Sequence, residues 1–412
     1  MNHLSNEQQA LLTLVQQSLW RNSKTLPEPV DWETVDSCAK QQGVLALAYD
    51  GAAALKAEMP AEIRQKWNQQ TIMSVMKNER LLAAQDQILG WLEQENIPAV
   101  ILKGSSVSRY YPQPDLRVLG DIDILVPRNR VEGVKEIMLQ QGYTFHDSGH
   151  DFHLGFSRSG VCAEIHYDVT RLPNGRGGEM TKKETARFLE KRDTAEVLGH
   201  IFPVLTEQYQ ALSLLLHMVR HMLGGGIGLR QLCDWAMYLT NGDTKAFVET
   251  TVPMLDRCGL LRYAQIATRV CVCYLGLPAQ HAGWCVDVTD ADIQAFIKDV
   301  FRSGNMGKAD PEKMGRVLSH SQYSGEKQSY IKMIFASLTE ICYQNFPLLK
   351  KYRILLPLAW VYIPMRYWVR SLFGLRKRKS IGQAAKNAKT QRDFYHMLGI
   401  FTVDEASEET KD

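Results

Sequence analysis

Two aspartates separated by one residue are the strongest chemical signal in this sequence of 412 residues. Asp121 and Asp123 lie in the apolar run 120–126, where alternation along a strand places both carboxylates on one face and Ile122 in the core. Adjacent like charges repel unless a cation or a proton is shared, so a divalent ion removes this cost. Carboxylate oxygens suit Mg²⁺ or Mn²⁺, and a pair of such ions clamps in-line phosphoryl chemistry. The alternative is a strand edge with two solvated aspartates, because short motifs often arise by chance.

A second polar group follows a predicted buried strand over 99–102. The group consists of Lys103, Gly104, Ser105 and Ser106. It would form a strand-to-helix junction, where glycine permits close approach of the backbone and free N–H groups can hold phosphate. The serine hydroxyls can add hydrogen bonds to the same ligand. The alternative is a simple helix cap, in which a serine hydroxyl only starts the next helix.

A later predicted strand supplies a further carboxylate. Glu164, His166 and Asp168 would share one face of this strand. Glu164 is the preferred candidate, because on a neighbouring strand it could complete a metal shell and accept the proton of an attacking hydroxyl. We expect His166 and Asp168 at the rim of an exposed sheet face rather than in the chemistry. Arg117 could neutralise a polyphosphate or pin the aspartate loop, and the sequence leaves both roles open.

Two histidines four residues apart, His217 and His221, would face the same side of a helix, as in the zinc motif H-E-x-x-H. Met218 stands where that motif has its general base, so we expect a structural or substrate-facing role rather than zinc binding. We expect Arg230 and Asp234 to form a polar pair nearby. The eight cysteines are scattered through apolar sequence without metal or disulfide spacing, which predicts reduced thiols.

Three regions of the chain must hold these residues in place. Apolar residues recur three and four apart up to about residue 95, then the pattern changes to short strands, and helical periodicity returns after residue 205. This order predicts the α+β fold class, with a small mixed sheet flanked by helical regions. The predicted units are 1–96 (N-terminal helical region), 97–204 (α/β domain), 205–403 (C-terminal helical region) and 404–412 (acidic tail). The predicted strands are 99–102, 120–126, 152–156 and 161–169, and the predicted helices beside them are 77–95 and 127–141.

The segment 341–392 contains 12 lysines and arginines and no acidic residue, although the net charge of the chain is only +3. Its interleaved aromatic side chains suit an anionic partner, either a membrane surface or RNA. The alternative is a core helix with a solvated basic face. The longest apolar run, 354–365, contains two prolines and is shorter than the roughly 20 residues of a membrane span. The N-terminus lacks the pattern of a secretory signal, so we expect a cytoplasmic protein. Peripheral attachment to a membrane surface stays open.

Three motifs together resemble the polymerase-β-like nucleotidyltransferase superfamily. They read Lys-Gly-Ser-Ser, Gly-Asp-Ile-Asp-Ile-Leu-Val and Ala-Glu-Ile-His-Tyr. The chain is most similar to the uncharacterised bacterial branch, whose helical part also resembles residues 216–234. In that superfamily a Gly-Ser or Gly-Gly turn holds the triphosphate and three strand carboxylates bind two metal ions. By match, the resemblance implies these roles for Gly104, Ser105, Asp121, Asp123 and Glu164. The interval from the turn to the first aspartate is longer here than in better-known members, and Lys-Gly-Ser-Ser is a variant of their turn.

The resemblance implies transfer of an NMP from an NTP, with ATP as the expected donor, to an unidentified hydroxyl acceptor with release of pyrophosphate. Asp121, Asp123 and Glu164 would be the catalytic residues and the ligands of Mg²⁺ or Mn²⁺. The nucleotide-binding residues would be Lys103, Gly104, Ser105, Ser106 and Arg117. Two alternatives stay open: a non-catalytic protein that binds a nucleotide or a partner, and a toxin or defence factor that modifies tRNA or protein.

Overall fold

The computed structural model describes residues 4–22, 24–147, 151–305, 338–339, 342–343, 346, 349, 352–372 and 390–403. In this part of the chain, helices lie before and after one sheet of seven strands. The α+β fold class predicted from the sequence is therefore confirmed. The acidic tail 404–412 and the stretch 373–389 of the basic segment lie outside the described residues.

Among the described residues, four helices precede the sheet. They are α1 (Asn6–Trp20), α2 (Trp32–Gln42), α3 (Leu45–Leu55) and α4 (Ala61–Gln94). Local sequence sets their ends, because the Ser5 hydroxyl accepts a hydrogen bond from the Gln8 N–H and the Asp31 carboxylate caps α2 in the same way. Gly43 ends α2 in the left-handed conformation that glycine adopts without strain. The helical prediction for this region is confirmed, with α4 beginning at residue 61 rather than 77.

The sheet combines parallel and antiparallel strands. Its strands are β1 (Val100–Ile101), β2 (Ile122–Leu125), β3 (Thr144–His146), β4 (His153–Arg158), β5 (Val161–His166), β6 (Arg192–Val197) and β7 (His200–Leu205). Their spatial order is β3-β4-β5-β2-β1-β7-β6, in which β2 is antiparallel to β1 and parallel to β5. Strand β2, which carries the Asp-x-Asp motif, therefore lies in the middle of the sheet. The helices between strands are α5 (Ser105–Ser108), α6 (Val131–Gln140) and α7 (Arg176–Thr185).

The two faces of the sheet pack against different cores. On one face, Ile122 and Ile124 join a core with apolar residues of α4 and α6. On the other face, Leu125 belongs to the larger core that the flanking helical regions share. Because side chains alternate along β2, Asp123 lies on the same face as Leu125. The Asp-x-Asp motif thus faces the core shared by the helical regions, while Ile122 and Ile124 hold the strand through the core on the opposite face.

The sequence patterns predict four of the strands and miss β3, β6 and β7. Strand β3 has only three residues, and its first and last side chains are exposed. Strand β6 alternates exposed polar residues with Ala195 and Val197, so its apolar content gives a weak strand signal. Strand β7 contains Pro203, which cannot donate a ladder hydrogen bond and therefore argues against a strand. Strand β5 ends at His166 and not at the predicted residue 169.

The helical regions before and after the sheet pack together. The later helices in the described part of the chain include α8 (Glu207–Gly224), α9 (Leu229–Asn241), α10 (Thr244–Ala246), α11 (Val252–Arg257), α12 (Leu261–Val270), α13 (Asp290–Ser303) and α14 (Leu356–Leu372). Most of them share one hydrophobic core with α1 to α3. The Gln42 side chain reinforces this contact, because it donates to the Val300 carbonyl at 3.1 Å and accepts from the Leu229 N–H at 2.9 Å.

Helix α14 belongs to the basic segment 341–392. It and the turn before it expose large apolar side chains, namely Ile354, Leu358, Val361 and Met365. Among the described residues, no helix combines the length and the apolar character that a membrane crossing requires. The anionic partner of this segment stays a prediction.

Replacing Gln42 by alanine is expected to lower the free energy of unfolding by about 1–3 kcal/mol, because the buried Leu229 N–H and Val300 carbonyl lose their partner. Gln41→Ala is the matched control, since Gln41 is exposed on the same helix. Urea unfolding followed by circular dichroism measures both variants. Equal stability of the two variants would contradict the role of Gln42 in joining the helical regions.

Candidate active site

Three carboxylates meet on the face of the sheet that packs against the helical regions. Asp123 lies in β2, and the strand register pairs it with Glu164 in β5. Asp121 immediately precedes β2, and carboxylate oxygens of the three residues lie within 4.8 Å of one another. Asp123 is buried, whereas 36% of the Asp121 side chain and 26% of the Glu164 side chain are exposed. The structure therefore brings the three predicted carboxylates into one cluster that is open to solvent on one side.

Two basic side chains, Lys103 and His166, contact the carboxylates of this cluster. Lys103 Nζ donates a hydrogen bond to Asp123 and lies 3.5 Å from Asp121 Oδ1. His166 Nε2 lies 3.0 Å from Asp123 Oδ1 and 3.3 Å from Glu164 Oε2. Each carboxylate therefore contacts Lys103 or His166, and Asp123 contacts both.

For each of these groups, burial disfavours the charged form and the contacts with opposite charges favour it, so the two effects shift its pKa in opposite directions. Burial alone would lower the pKa of Lys103, but Asp121 and Asp123 outweigh it and the pKa is raised. Burial would raise the pKa of Asp123, but Lys103 and His166 outweigh it and the pKa is lowered. Burial also opposes ionisation of Glu164, yet His166 and Lys103 lower its pKa to about 2. For His166, the effect of burial is outweighed by Asp123 and Glu164, which raise its pKa above 6.5.

The expectation that His166 and Asp168 both lie at the rim is wrong for His166. Asp168 lies beyond the end of β5, where its half-exposed carboxylate forms an ion pair with Arg128 at 2.5 Å. His166 is only 1% exposed and contacts two carboxylates of the cluster. It is also paired across the sheet with His153, a residue that the sequence patterns do not single out. Strand β5 ends between the two predicted residues, which is why their environments differ.

The predicted phosphate-binding group lies at the start of α5, beside the aspartates. Gly104 has a φ of 73°, a left-handed conformation that favours glycine, and an added Cβ would lie 3.7 Å from the Asp121 carbonyl oxygen. The Ser105 hydroxyl donates to Gln85 Oε1 at 2.5 Å, which ties α5 to α4. The buried Ser106 hydroxyl has no hydrogen-bond partner among the described residues. One serine of the pair is therefore anchored, and the other can still accept a partner.

Arg117 forms a buried ion pair with Asp234 of α9. Its Nε and Nη2 atoms donate to the two carboxylate oxygens at 3.0 and 2.7 Å, and the Tyr111 hydroxyl donates to the same carboxylate at 2.7 Å. This bidentate pair fixes the segment before Asp121 to the helical region. Asp234 is thus paired with Arg117 rather than with the expected Arg230. A polyphosphate contact by Arg117 stays a prediction.

Polar side chains of α8 and α9 lie close to the cluster. Lys103, His217 and Arg220 line the same small cavity, and Arg230 of α9 donates to the Val118 carbonyl at 3.5 Å. The rings of His217 and His221 are in contact, with centroids 4.3 Å apart. Burial and neighbouring cations lower the pKa of both rings, that of His221 to about 3. The neutral form of both histidines is therefore favoured.

Two residues of α4, Asn78 and Gln85, position the site, and neither belongs to a recognisable sequence motif. Asn78 donates to the Arg117 carbonyl at 3.0 Å and accepts from the Leu119 N–H at 2.8 Å, which fixes the approach to the aspartates. Gln85 accepts from Ser105. The two lie seven residues apart on the apolar face of α4, and such buried polar groups need partners. That interruption of the apolar stripe is the signal that could have identified them.

The family model described as "Uncharacterised nucleotidyltransferase" matches residues 28–276, which is more than half of the chain. The chain belongs to this nucleotidyltransferase family. The match includes every predicted site residue and confirms the resemblance seen in the motifs. The chain is also similar to a solved structure described as an antigenic nucleotidyltransferase-like protein from Paracoccidioides brasiliensis, at 14% identity and a TM-score of 0.32, over 48% of this chain and 93% of that chain. No curated protein matches the sequence.

Replacing Asp234 by leucine is expected to lower the free energy of unfolding of the protein by about 3–5 kcal/mol, because Arg117 becomes an unpaired buried charge. The double variant Arg117→Met/Asp234→Leu should recover much of that loss, since it removes both charges. Urea unfolding of the wild type, both single variants and the double variant gives the coupling energy. Strictly additive losses would show that the pair does not act as a unit.

Proposed function

We propose that the chain transfers a nucleotidyl group from an NTP to a hydroxyl acceptor and releases pyrophosphate. The observation that carries this proposal is the convergence of Asp121, Asp123 and Glu164 beside a glycine turn, within the span of the family match. The bond that forms joins the acceptor oxygen to the α-phosphorus, and the bond that breaks joins the α-phosphorus to the bridging oxygen of the pyrophosphate.

The three carboxylates fit divalent metal ions. Their oxygens lie within 4.8 Å of one another and are the hard ligands that Mg²⁺ and Mn²⁺ prefer. When bound, such ions stabilise the negative charge that develops on the attacking and leaving oxygens. Lys103 already contacts both aspartates, so its ammonium group competes with a divalent ion for the same oxygens.

We assign the phosphates of the nucleotide, with ATP as the expected donor, to the start of α5. A buried hydroxyl without a partner costs free energy, so Ser106 favours a ligand or water that satisfies it. Gly104 lets the backbone approach a phosphate closely, because it carries no side chain. Lys103 adds a positive charge at the same junction.

Glu164 is assigned to holding and orienting rather than to proton transfer. A pKa of about 2 makes its carboxylate a weak base at neutral pH. Its side chain lies at the partly exposed edge of the cluster, where an acceptor hydroxyl can approach. Orientation of that hydroxyl toward the α-phosphorus then supplies the catalytic advantage.

The main alternative is a protein that binds a nucleotide at the same site without turnover. It differs from the proposed transferase only because it forms no product. The toxin or defence alternative depends on the basic segment 341–392, and the described residues of that segment offer no contact that favours it. Nucleotide binding and product release are therefore measured separately.

The first test is metal-dependent binding of each of the four NTPs, measured by calorimetry for the wild type and Asp121→Asn. The substitution removes one charged ligand at a partly exposed position and keeps the size of the side chain. We expect binding to weaken at least about tenfold, as for a disturbed metal shell. Asp168→Asn is the matched control, because Asp168 is an exposed carboxylate outside the cluster.

Equal nucleotide affinity of the wild type and Asp121→Asn would overturn the assignment of the site. Pyrophosphate release by the wild type with a supplied hydroxyl acceptor, lost in Asp121→Asn, distinguishes transfer from binding alone.

Lys103→Met should increase the stabilisation of the folded protein by Mg²⁺. The substitution removes the ammonium group that competes with the ion for Asp121 and Asp123. The measurement is the rise in melting temperature between chelator-treated and Mg²⁺-saturated protein. Lys77→Met is the control, since the Lys77 amine contacts the Gly120 carbonyl rather than a carboxylate. An identical rise in the wild type and Lys103→Met would show that lysine and metal do not compete.

A further inference from the structure

Two buried imidazoles flank the carboxylate of Glu164. His153 in β4 and His166 in β5 are paired across the antiparallel strands, and their ring centroids are 5.1 Å apart. His153 Nε2 lies 3.7 Å from Glu164 Oε1, and His166 Nε2 lies 3.3 Å from Glu164 Oε2. One ligand atom from each of the three residues lies within 4.8 Å of the other two. The group is therefore a set of two nitrogen ligands and one oxygen ligand that converge.

The spacing of these atoms approaches that of a filled metal site. Ligands bound at about 2.1 Å to one tetrahedral ion are roughly 3.4 Å apart. The histidine nitrogens lie 3.7 and 3.3 Å from different oxygens of Glu164, so rotation of the carboxylate is needed to present one oxygen to both. Both histidines are buried, at 3% and 1% exposure, on strands in the interior of the sheet. Phe152 packs against both rings and supplies the apolar wall that commonly surrounds a metal centre.

We propose that His153, Glu164 and His166 form a second metal position, selective for a transition-metal ion of the Zn²⁺ or Co²⁺ type. Imidazole nitrogen suits such ions, whereas Mg²⁺ prefers oxygen ligands only. Glu164 belongs to both groups, so the second position adjoins the oxygen-only position of Asp121 and Asp123. The new position shares Glu164 with the proposed nucleotidyl-transfer site, but ion binding there does not depend on transfer.

The surroundings of His166 support a ligand role. A histidine that binds metal through one ring nitrogen usually donates its other N–H to a carbonyl or carboxylate. His166 Nδ1 lies 3.4 Å from the Asp168 carbonyl oxygen, so a tautomer with hydrogen on Nδ1 leaves Nε2 available for an ion. Binding through Nε2 also replaces the contact between His166 and Asp123. Asp123 then remains in contact with Lys103 and available as a ligand at the oxygen-only position.

The test compares the Zn²⁺ and Mg²⁺ affinities of the chelator-treated 412-residue protein by competition with a metal indicator and by calorimetry. His153→Gln should weaken Zn²⁺ binding at least about 100-fold, the upper range for a disturbed metal shell, and leave Mg²⁺ binding within about twofold. Asp121→Asn should do the reverse, because Asp121 belongs only to the oxygen group. His146→Gln is the matched control, since His146 is exposed on the edge strand β3 of the same sheet.

Unchanged Zn²⁺ affinity in His153→Gln would overturn the second position. The visible spectrum of the wild type with Co²⁺ gives a reading that does not depend on the folding of a variant. Strong bands of a four- or five-coordinate nitrogen-containing site are expected, and only the weak band of an all-oxygen octahedral ion would also overturn the proposal. Loss of NTP binding in Asp121→Asn is measured apart from both results, so failure of the second metal position and failure of the proposed transfer can be distinguished.

Discussion

Three carboxylates on one sheet face repel one another, and the side chains around them offset that repulsion. Two like charges about 4 Å apart repel by about 4 kcal/mol at an effective dielectric constant of about 20. Lys103 and His166 offset this repulsion, because each contacts two of the carboxylates. The three carboxylates and Lys103 together carry 1 − 3 = −2, and the raised pKa of His166 favours its charged form, which would bring the cluster to −1. The remaining negative charge favours the entry of a divalent ion.

The surrounding fold keeps the cluster in register. The parallel pairing of β2 with β5 sets Asp123 opposite Glu164, and the core beneath Ile122 and Ile124 prevents a slip that would turn the carboxylates inward. The approach to β2 is fixed from two sides, by Asn78 of α4 and by the buried pair of Arg117 with Asp234. A site on paired strands is thereby held more rigidly than one on loops.

The sequence predicts those parts of the site that depend on local pattern. Alternation in the run 120–126 places Asp121 and Asp123 on one face, and the helical and strand periods predict the α+β class that the structure has. Contacts between distant residues leave no local pattern, so the pairing of Arg117 with Asp234 and the burial of His166 against Asp123 emerge only in the fold. The strands with low apolar content at the sheet edges were missed for the same reason, because their neighbours and not their own sequence stabilise them.

The most direct test of the account is a crystal structure of the protein with Mn²⁺ and a non-hydrolysable ATP analogue, with anomalous data collected at the manganese edge. We expect a manganese peak within about 2.3 Å of oxygens of Asp121 and Asp123, with Lys103 displaced from them and the analogue's phosphates at Gly104 to Ser106. An analogue bound elsewhere, or manganese absent from these carboxylates while Lys103 still holds them, would contradict it.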